Sequence, residues 1–292
     1  MPKVSLYCFL TAQPAYFARV LNVAMADVAV NYFANDADVF AFESRAVAQA
    51  ARVLSTRPRP RLVVFFNTEP LVDVEEARRW YNQTAAAPDV IVDYSLTNVR
   101  RFQAAVDSRV PCVWNVNWLC VGNVPRCVAQ SATPRHAIVH IGMPTGGRAA
   151  KVAAIRAVCP VAADVHESRT PQLTHVLHAA AAVIVLHRHG NSFEFHRYWH
   201  FMLLDAHTLF LSEALGCRDE EAAVTATLPN IQFFESMAAI GHAAAELLRD
   251  PVAAQGRRDA AAAWFAAAHE RYAAGGAFVE GRLNEAVPCG GP

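Results

Sequence analysis

Short apolar runs alternate with amphipathic stretches along the first half of this 292-residue chain. Apolar runs bounded by polar turns are typical of buried strands, and the stretches between them have helical spacing. A strand followed by a helix, repeated several times, predicts a parallel sheet covered by helices. Strands are predicted at 4–9, 38–44, 61–66, 89–94 and 112–118, and helices at 72–83 and 95–107, with further helical stretches around the first two strands.

The same alternation begins again in the second half, after a stretch at 119–135 with two prolines and little periodicity. Such a stretch is typical of a connection between domains. The predicted fold class is therefore α/β, with two Rossmann-like domains, parallel sheets and a cleft between them. We place an N-terminal domain at 1–130, a C-terminal domain at 131–275 and a flexible tail at 276–292. Second-half strands are predicted near 136–142, 161–165, 181–187, 208–213 and 230–234, and helices near 147–157, 171–179, 193–205, 236–249 and 253–273.

The charge balance excludes several classes of partner. The chain has 26 basic and 26 acidic residues, so it offers no electrostatic footprint for nucleic acid or an anionic membrane. Its seven cysteines are widely spaced without a CxxC pair, which indicates reduced thiols inside a cell. The N-terminus lacks a signal-peptide pattern, and the longest apolar run, 178–186, is too short to span a bilayer. We therefore expect a soluble cytoplasmic protein with no transmembrane segment.

Polar side chains follow several of the predicted strands. In open α/β sheets, ligands bind beyond the carboxyl ends of the strands, so these positions are the first candidates for a site. They are residues 67–69, Asp93, residues 142–148, residues 187–194, and Ser212 with Glu213.

The segment 183–213 has the highest density of such groups. Gly190 permits a tight turn, and Asn191 and Glu194 have the N-cap to N3 spacing of a capping box at the start of the next helix. The free amides and the positive end of a helix at this point would form an anion site that suits a diphosphate. Glu194 has two interpretations: it caps the helix, or it accepts hydrogen bonds from ribose hydroxyls.

Five stretches of the chain form an ordered set of motifs. At 183–213 a strand is followed by His-x-x-Gly, a Glu-x-x-Arg helix and a strand that ends in Ser-Glu. The other stretches are FFNTEPL at 65–71, VIVDYSLTN at 90–98, HIGMPTGGRAAKVAAI at 140–155 and NIQFFESMAAIGHAAAELLRDP at 230–251. In this order they resemble the GT-B glycosyltransferases, and most of all the short glycosyltransferase-like proteins of large DNA viruses and some microbes.

The resemblance implies a hexosyl- or pentosyltransferase that moves a sugar from a UDP- or GDP-linked donor to a glycan, protein or other hydroxyl acceptor. It implies no metal and no cofactor, and it places the donor in the second half and the acceptor in the first. For a viral protein the place of action would be the host cytoplasm. The donor-binding residues that it implies are Gly142, Arg148, Lys151, His187, Asn191, Ser192, Glu194, Arg197 and Glu213.

Such a reaction needs a cation at the leaving diphosphate and a carboxylate at the acceptor hydroxyl. Lys151 is one of only two lysines in a chain that otherwise uses arginine. Its compact ammonium is therefore a candidate diphosphate contact. The alternative is that one of the two lysines occupies this position by chance. Glu69 and Asp93, at neighbouring strand ends, are the candidate catalytic carboxylates. Asp93 also fits a cap for the next helix, so the sequence favours Glu69.

Two features admit other functions. Retaining GT-B enzymes usually carry a second glutamate eight positions before the ribose-binding one, and this chain has Leu186 there. The stereochemistry is therefore open, and a catalytically inactive nucleotide-sugar-binding protein is an alternative. His187, His189, His196 and His200 include spacings that suit zinc, so a metal hydrolase is a further alternative, although no HExxH motif is present.

Overall fold

The computed structural model describes residues 3–7, 27–34, 36–69, 71–83, 88–106, 110–114, 137–142, 147–162, 164–166, 173–187 and 207–267. The chain divides into two compact units. The described residues up to Trp114 lie in the first unit, and those from Ala137 onward lie in the second. Each unit contains one parallel sheet, which confirms the predicted α/β class with two Rossmann-like halves.

The strands of the first unit are β1 (Val4–Tyr7), β2 (Val28–Val30), β3 (Val39–Glu43), β4 (Leu62–Asn67), β5 (Val90–Asp93) and β6 (Cys112–Trp114), and its helices are α1 (Val47–Thr56), α2 (Val74–Gln83) and α3 (Leu96–Ala105). The six strands are parallel and lie in the order β2-β1-β3-β4-β5-β6. The central strands β3, β4 and β5 are buried along their whole length, because a parallel sheet is covered on both faces.

Most of these elements lie where the apolar pattern predicts them. Strand β2 is an exception: its three half-buried residues are too few to produce a recognisable periodicity. A short 3-10 turn, Ser44–Ala46, follows β3 directly and leads into α1. This turn therefore begins at the carboxyl edge of the sheet, where the polar residues of the neighbouring strands also emerge.

Phenylalanine rings fill the core of the first unit. Phe42 on β3, Phe65 on β4 and Phe102 on α3 have no exposed surface. The ring centroids of Phe42 and Phe65 are 5.2 Å apart in a stacked arrangement, and those of Phe65 and Phe102 are 6.0 Å apart edge to face. Such ring pairs add stabilisation beyond the burial of their area. This packing fixes the positions of β3, β4 and α3 relative to one another. It therefore also fixes the positions of the carboxyl ends of the two strands.

The second unit contains strands β7 (Ala137–Ile141), β8 (Asp164–His166), β9 (Ala180–Val185), β10 (Phe210–Glu213) and β11 (Ile231–Phe234), and helices α4 (Arg148–Val158), α5 (Leu173–Ala179), α6 (Arg218–Thr227), α7 (Met237–Arg249) and α8 (Pro251–Ala267). Its strands are parallel in the order β11-β10-β9-β7-β8. Strand β8 begins three residues after the predicted start. Helix α6 has no counterpart in the prediction, because its apolar stripe is weak. The sequence feature that could have predicted it is its acidic first turn.

A close contact between α4 and α7 shapes the helical layer of the second unit. Gly241 on α7 lies so near α4 that a Cβ atom placed on it would be 2.7 Å from Cβ of Val158 and 3.0 Å from the carbonyl oxygen of Ile155. Real Cβ atoms do not approach so closely. The absence of a side chain at this position therefore lets the two helices pack over Ile138, Ile184 and the other apolar residues of the core.

Several predictions fall outside the described residues. These are the connection at 119–135, the domain boundary at 130–131, the helix at 193–205 and the tail at 276–292. In the part of the chain that the structure describes, no helix combines the length and the apolar character that a membrane span requires.

Candidate functional site

A buried hydrogen-bond network lies at the carboxyl edge of the first sheet. Asn67 ends β4 and Asp93 ends β5, and the two residues are direct partners in the register of these strands. Nδ2 of Asn67 donates to Oδ2 of Asp93 at 2.7 Å, and the hydroxyl of Ser44 donates to Oδ1 of Asn67 at 2.8 Å. The turn after β3 is thus connected through Asn67 to the end of β5.

Asp93, one of the two predicted catalytic carboxylates, lies at the centre of this network. It has no exposed surface. Its Oδ1 accepts from the backbone N–H of Ser95 at 2.8 Å and from Nδ2 of Asn98 at 3.3 Å. Burial, together with the charge of Asp93, raises the pKa of the Cys112 thiol to about 12. These contacts are those of a carboxylate that organises the strand ends.

Glu69, the other predicted catalytic carboxylate, is more accessible. Its backbone carbonyl accepts from Nδ2 of Asn67 at 2.7 Å and from Nδ2 of Asn98 at 3.2 Å, so the network fixes its main chain. Its side chain is 31% exposed, and Oε1 accepts from Nε of Arg45 at 3.1 Å. Arg45 is not among the predicted site residues, although it directly follows the strand predicted at 38–44, and a position just after a strand marks the other candidates.

In the second unit, the carboxylate of Glu213, at the end of β10, accepts three hydrogen bonds. Nζ of Lys151 on α4 lies 2.6 Å from Oε1 and 2.7 Å from Oε2 of Glu213. The backbone N–H of His187, just after β9, donates to Oε2 at 3.1 Å. Nε2 of His187 lies 2.9 Å from the backbone oxygen of Glu213, so this nitrogen carries the proton. Two of the predicted donor-binding residues, Lys151 and His187, therefore contact a third, Glu213.

Gly142 and Arg148 lie on either side of the segment that joins β7 to α4. Gly142 has a φ of 149°, a conformation that side chains rarely adopt and that favours glycine. Arg148 is the first residue of α4, is 4% exposed, and donates from Nε to the carbonyl oxygen of Leu186 at 3.1 Å. The start of α4 therefore lies at the carboxyl edge of the sheet, where the positive end of the helix dipole favours an anion.

The remaining predicted site residues, Asn191, Ser192, Glu194 and Arg197, lie outside the described residues, as do His189, His196 and His200. Within the described ranges, His, Cys, Asp and Glu side chains form no group of three or more that could hold a metal ion.

Two α/β units, each with a parallel sheet and with polar groups at the carboxyl ends of its strands, are the two halves from which a GT-B fold is built. No protein-family model matches the chain, and no curated protein matches it in sequence. Its likeness to solved structures is nevertheless extensive.

Two glucosyltransferase structures and one other complex define this likeness. The DNA-modifying enzyme β-glucosyltransferase, studied in the presence and absence of its substrate uridine diphosphoglucose, aligns over 99% of this chain and 100% of its own with a TM-score of 0.61 and 10% identity. Anabaena HepE in complex with UDP and glucose aligns over 98% and 99%, with a TM-score of 0.60 and 10% identity. T4 phage BGT in complex with UDP and Mn²⁺ aligns over 98% and 100%, with a TM-score of 0.56 and 10% identity.

Proposed function

We propose that this protein is a glycosyltransferase that uses a nucleotide-sugar donor, with the donor bound by the second unit and the acceptor by the first. The observation that carries the proposal is the convergence of Gly142, Arg148, Lys151, His187 and Glu213 at the carboxyl edge of the second sheet. Ligands of α/β proteins bind at this edge. The solved structures of the same fold, which contain UDP or UDP-glucose, support this class of donor.

The donor is a UDP- or GDP-linked hexose or pentose. Its diphosphate carries negative charge that grows when the sugar leaves, and the start of α4 with Arg148 and Arg197 supplies positive groups for it. The amides of residues 190–192 add further donors. Glu194 accepts hydrogen bonds from the ribose hydroxyls. The reaction proceeds without a metal or a cofactor.

Glu69 is the proposed base for the acceptor, a glycan or protein hydroxyl. The acceptor oxygen forms a bond to the anomeric carbon, the bond from that carbon to the diphosphate oxygen breaks, and the acceptor proton passes to Glu69. Asp93 is the alternative base, but its full burial and its hydrogen bonds favour Glu69, which reaches solvent.

A second candidate function is nucleotide-sugar binding without transfer. The observation that favours it is Leu186, which is fully buried in the core of the second unit at the position where retaining enzymes carry a glutamate. The histidine-ligated metal hydrolase stays a third alternative, and stoichiometric zinc in the purified protein would support it against the metal-free reaction.

The proposal is tested by calorimetric titration with UDP, GDP, UDP-glucose and GDP-mannose, with EDTA or Mn²⁺ present. Donor hydrolysis and transfer to a panel of glycans follow. We expect binding of one nucleotide class and turnover that EDTA leaves unchanged. Failure to bind any nucleotide or nucleotide sugar contradicts both the transferase and the binding protein. Binding without turnover in the presence of acceptors favours the binding protein.

We also propose that the protein acts in the cytoplasm, which for a viral protein is the host cytoplasm. Cys112 and Cys159 form no disulfide bond, in keeping with a reducing compartment. A relation to the short viral and microbial glycosyltransferase-like proteins is part of the same proposal.

A further inference from the structure

The ammonium of Lys151 is already bound by a carboxylate. Two of its three N–H groups suffice for the contacts to Oε1 and Oε2 of Glu213, at 2.6 and 2.7 Å. The side chains are 30% and 15% exposed, so the pair is shielded from solvent on most sides. A short two-oxygen contact in such surroundings is stronger than an exposed ion pair.

The pair connects three neighbouring structural elements. Lys151 lies one turn into α4, Glu213 ends β10, and His187 follows β9, the strand between β7 and β10 in the sheet. The backbone N–H of His187 donates to Oε2 of Glu213, and the His187 ring contacts the Glu213 carbonyl. Glu213 is therefore held from the helix on one side and from the adjacent strand end on the other.

This geometry bears on which group faces a negatively charged ligand. A lysine whose charge is matched by a carboxylate at contact distance gives little net attraction to a diphosphate, because the carboxylate repels the same phosphate oxygens. A carboxylate whose charge is compensated and whose orientation is fixed is, in contrast, well suited to accept a hydrogen bond from a hydroxyl.

We infer that Lys151 is a positioning residue that acts on the donor through Glu213, and that Glu213 accepts a hydroxyl of the donor. The inference rests on the proposed function and changes the role predicted for Lys151 from direct diphosphate contact to orientation of a carboxylate. Removal of either partner then has the same consequence, because each is needed for the other to perform its role.

A double-mutant cycle separates this role from direct diphosphate contact. Lys151→Met, Glu213→Gln and the double variant are titrated with UDP and UDP-glucose, or with the GDP pair if wild type binds that class. We expect both single variants to weaken binding of the same ligand about tenfold, the loss of one charged hydrogen bond. We expect the double variant to bind the ligand with an affinity no lower than that of the single variant that binds it less tightly. Lys151→Arg, which can still bond both oxygens, should recover most of the affinity.

If Lys151 contacts the diphosphate directly, one of the two single variants should change the affinity for UDP in the opposite direction. Glu213→Gln would then strengthen UDP binding, because a repelling carboxylate is removed, while Lys151→Met would weaken it. That result would overturn the inference and leave the proposed function intact. Lys3→Met is the matched control, since Lys3 pairs with Asp36 on the surface of the first unit and should leave binding unchanged. Wild-type protein that binds no nucleotide would instead contradict the proposed function, and the positioning role with it.

Discussion

Asn67 and Asp93 join the ends of two adjacent strands through a 2.7 Å hydrogen bond between fully buried side chains. Asn67→Asp would place a second carboxylate against Asp93 and remove the amide donor. At neutral pH we expect a loss of roughly 3–5 kcal/mol in the free energy of unfolding, the range for an uncompensated buried charge. The loss should shrink as the pH falls toward about 5, because one proton shared by the pair relieves the repulsion.

Urea unfolding at the two pH values measures this effect. Asn82→Asp, the same substitution at an exposed position of α2, is the control and should change stability little at either pH. A loss for Asn67→Asp that is the same at both pH values would contradict the like-charge explanation.

Cys112 should be a slow nucleophile as long as the first unit is folded. Burial, and then the charge of Asp93, raise the pKa of its thiol to about 12 from an ordinary value of 9.0. Between these values the folded state keeps a proton that the unfolded state loses, so the contribution of Cys112 to stability falls as the pH rises. Asp93→Asn should lower the pKa of the thiol and accelerate the alkylation of Cys112 by iodoacetamide. Peptide mass spectrometry measures the rate of this alkylation. Cys217 is the internal reference, and an equal acceleration there would contradict a local charge effect.

Two glycines on neighbouring helices should respond to alanine in opposite directions. Gly241→Ala drives a methyl group to 2.7 Å from Cβ of Val158, and we expect a loss of about 1–3 kcal/mol from overpacking. Gly256→Ala on α8 meets no atom within 4 Å and should gain about 0.5–1 kcal/mol through helix propensity. Thermal and urea unfolding measure both. A stabilising Gly241→Ala would show that α4 and α7 can separate without cost.

The proposal that the second unit binds the donor and the first binds the acceptor predicts different effects for substitutions of two glutamates. Glu69→Ala should leave nucleotide affinity unchanged and lower the transfer rate about 10²–10⁴-fold, the range for loss of a general base. Glu194→Ala should weaken nucleotide binding. Calorimetry and initial rates of transfer measure the two effects separately. The reverse pattern would contradict the assignment of donor and acceptor to the two units.

Local sequence patterns were sufficient for most of the secondary structure. The runs that become β4, β5 and β9 are buried on both faces, so all of their residues are apolar except Asn67 and Asp93, which end β4 and β5, and the pattern is easy to recognise. Helix α6 escaped recognition because little of its surface is buried, and β2 because it is short. Elements whose stability comes from few tertiary contacts leave a weak apolar pattern in the sequence.

The candidate site was predictable in its positions but not in its contacts. Each strand end carries its polar residue within a few positions of the apolar run, so Glu69, Asp93 and Glu213 could be selected one by one. The sequence did not indicate that Asp93 is enclosed while Glu69 reaches solvent, nor that Arg45 lies beside Glu69. The burial of a side chain at a strand end depends on which strands lie beside it. The order of the strands is determined only when the sheet forms.

The sequence by itself determined the α/β class, most of the strands and helices and the polar strand ends, because periodicity and turn residues act over short distances along the chain. Only the tertiary structure decided that Lys151 meets Glu213, which is 62 residues away, and that Asn67 meets Asp93, which is 26 residues away. These contacts follow from the strand orders, in which β9 lies between β7 and β10 and β4 lies next to β5. Strand order is a property of the whole packed sheet, since it depends on which arrangement buries all the apolar runs together.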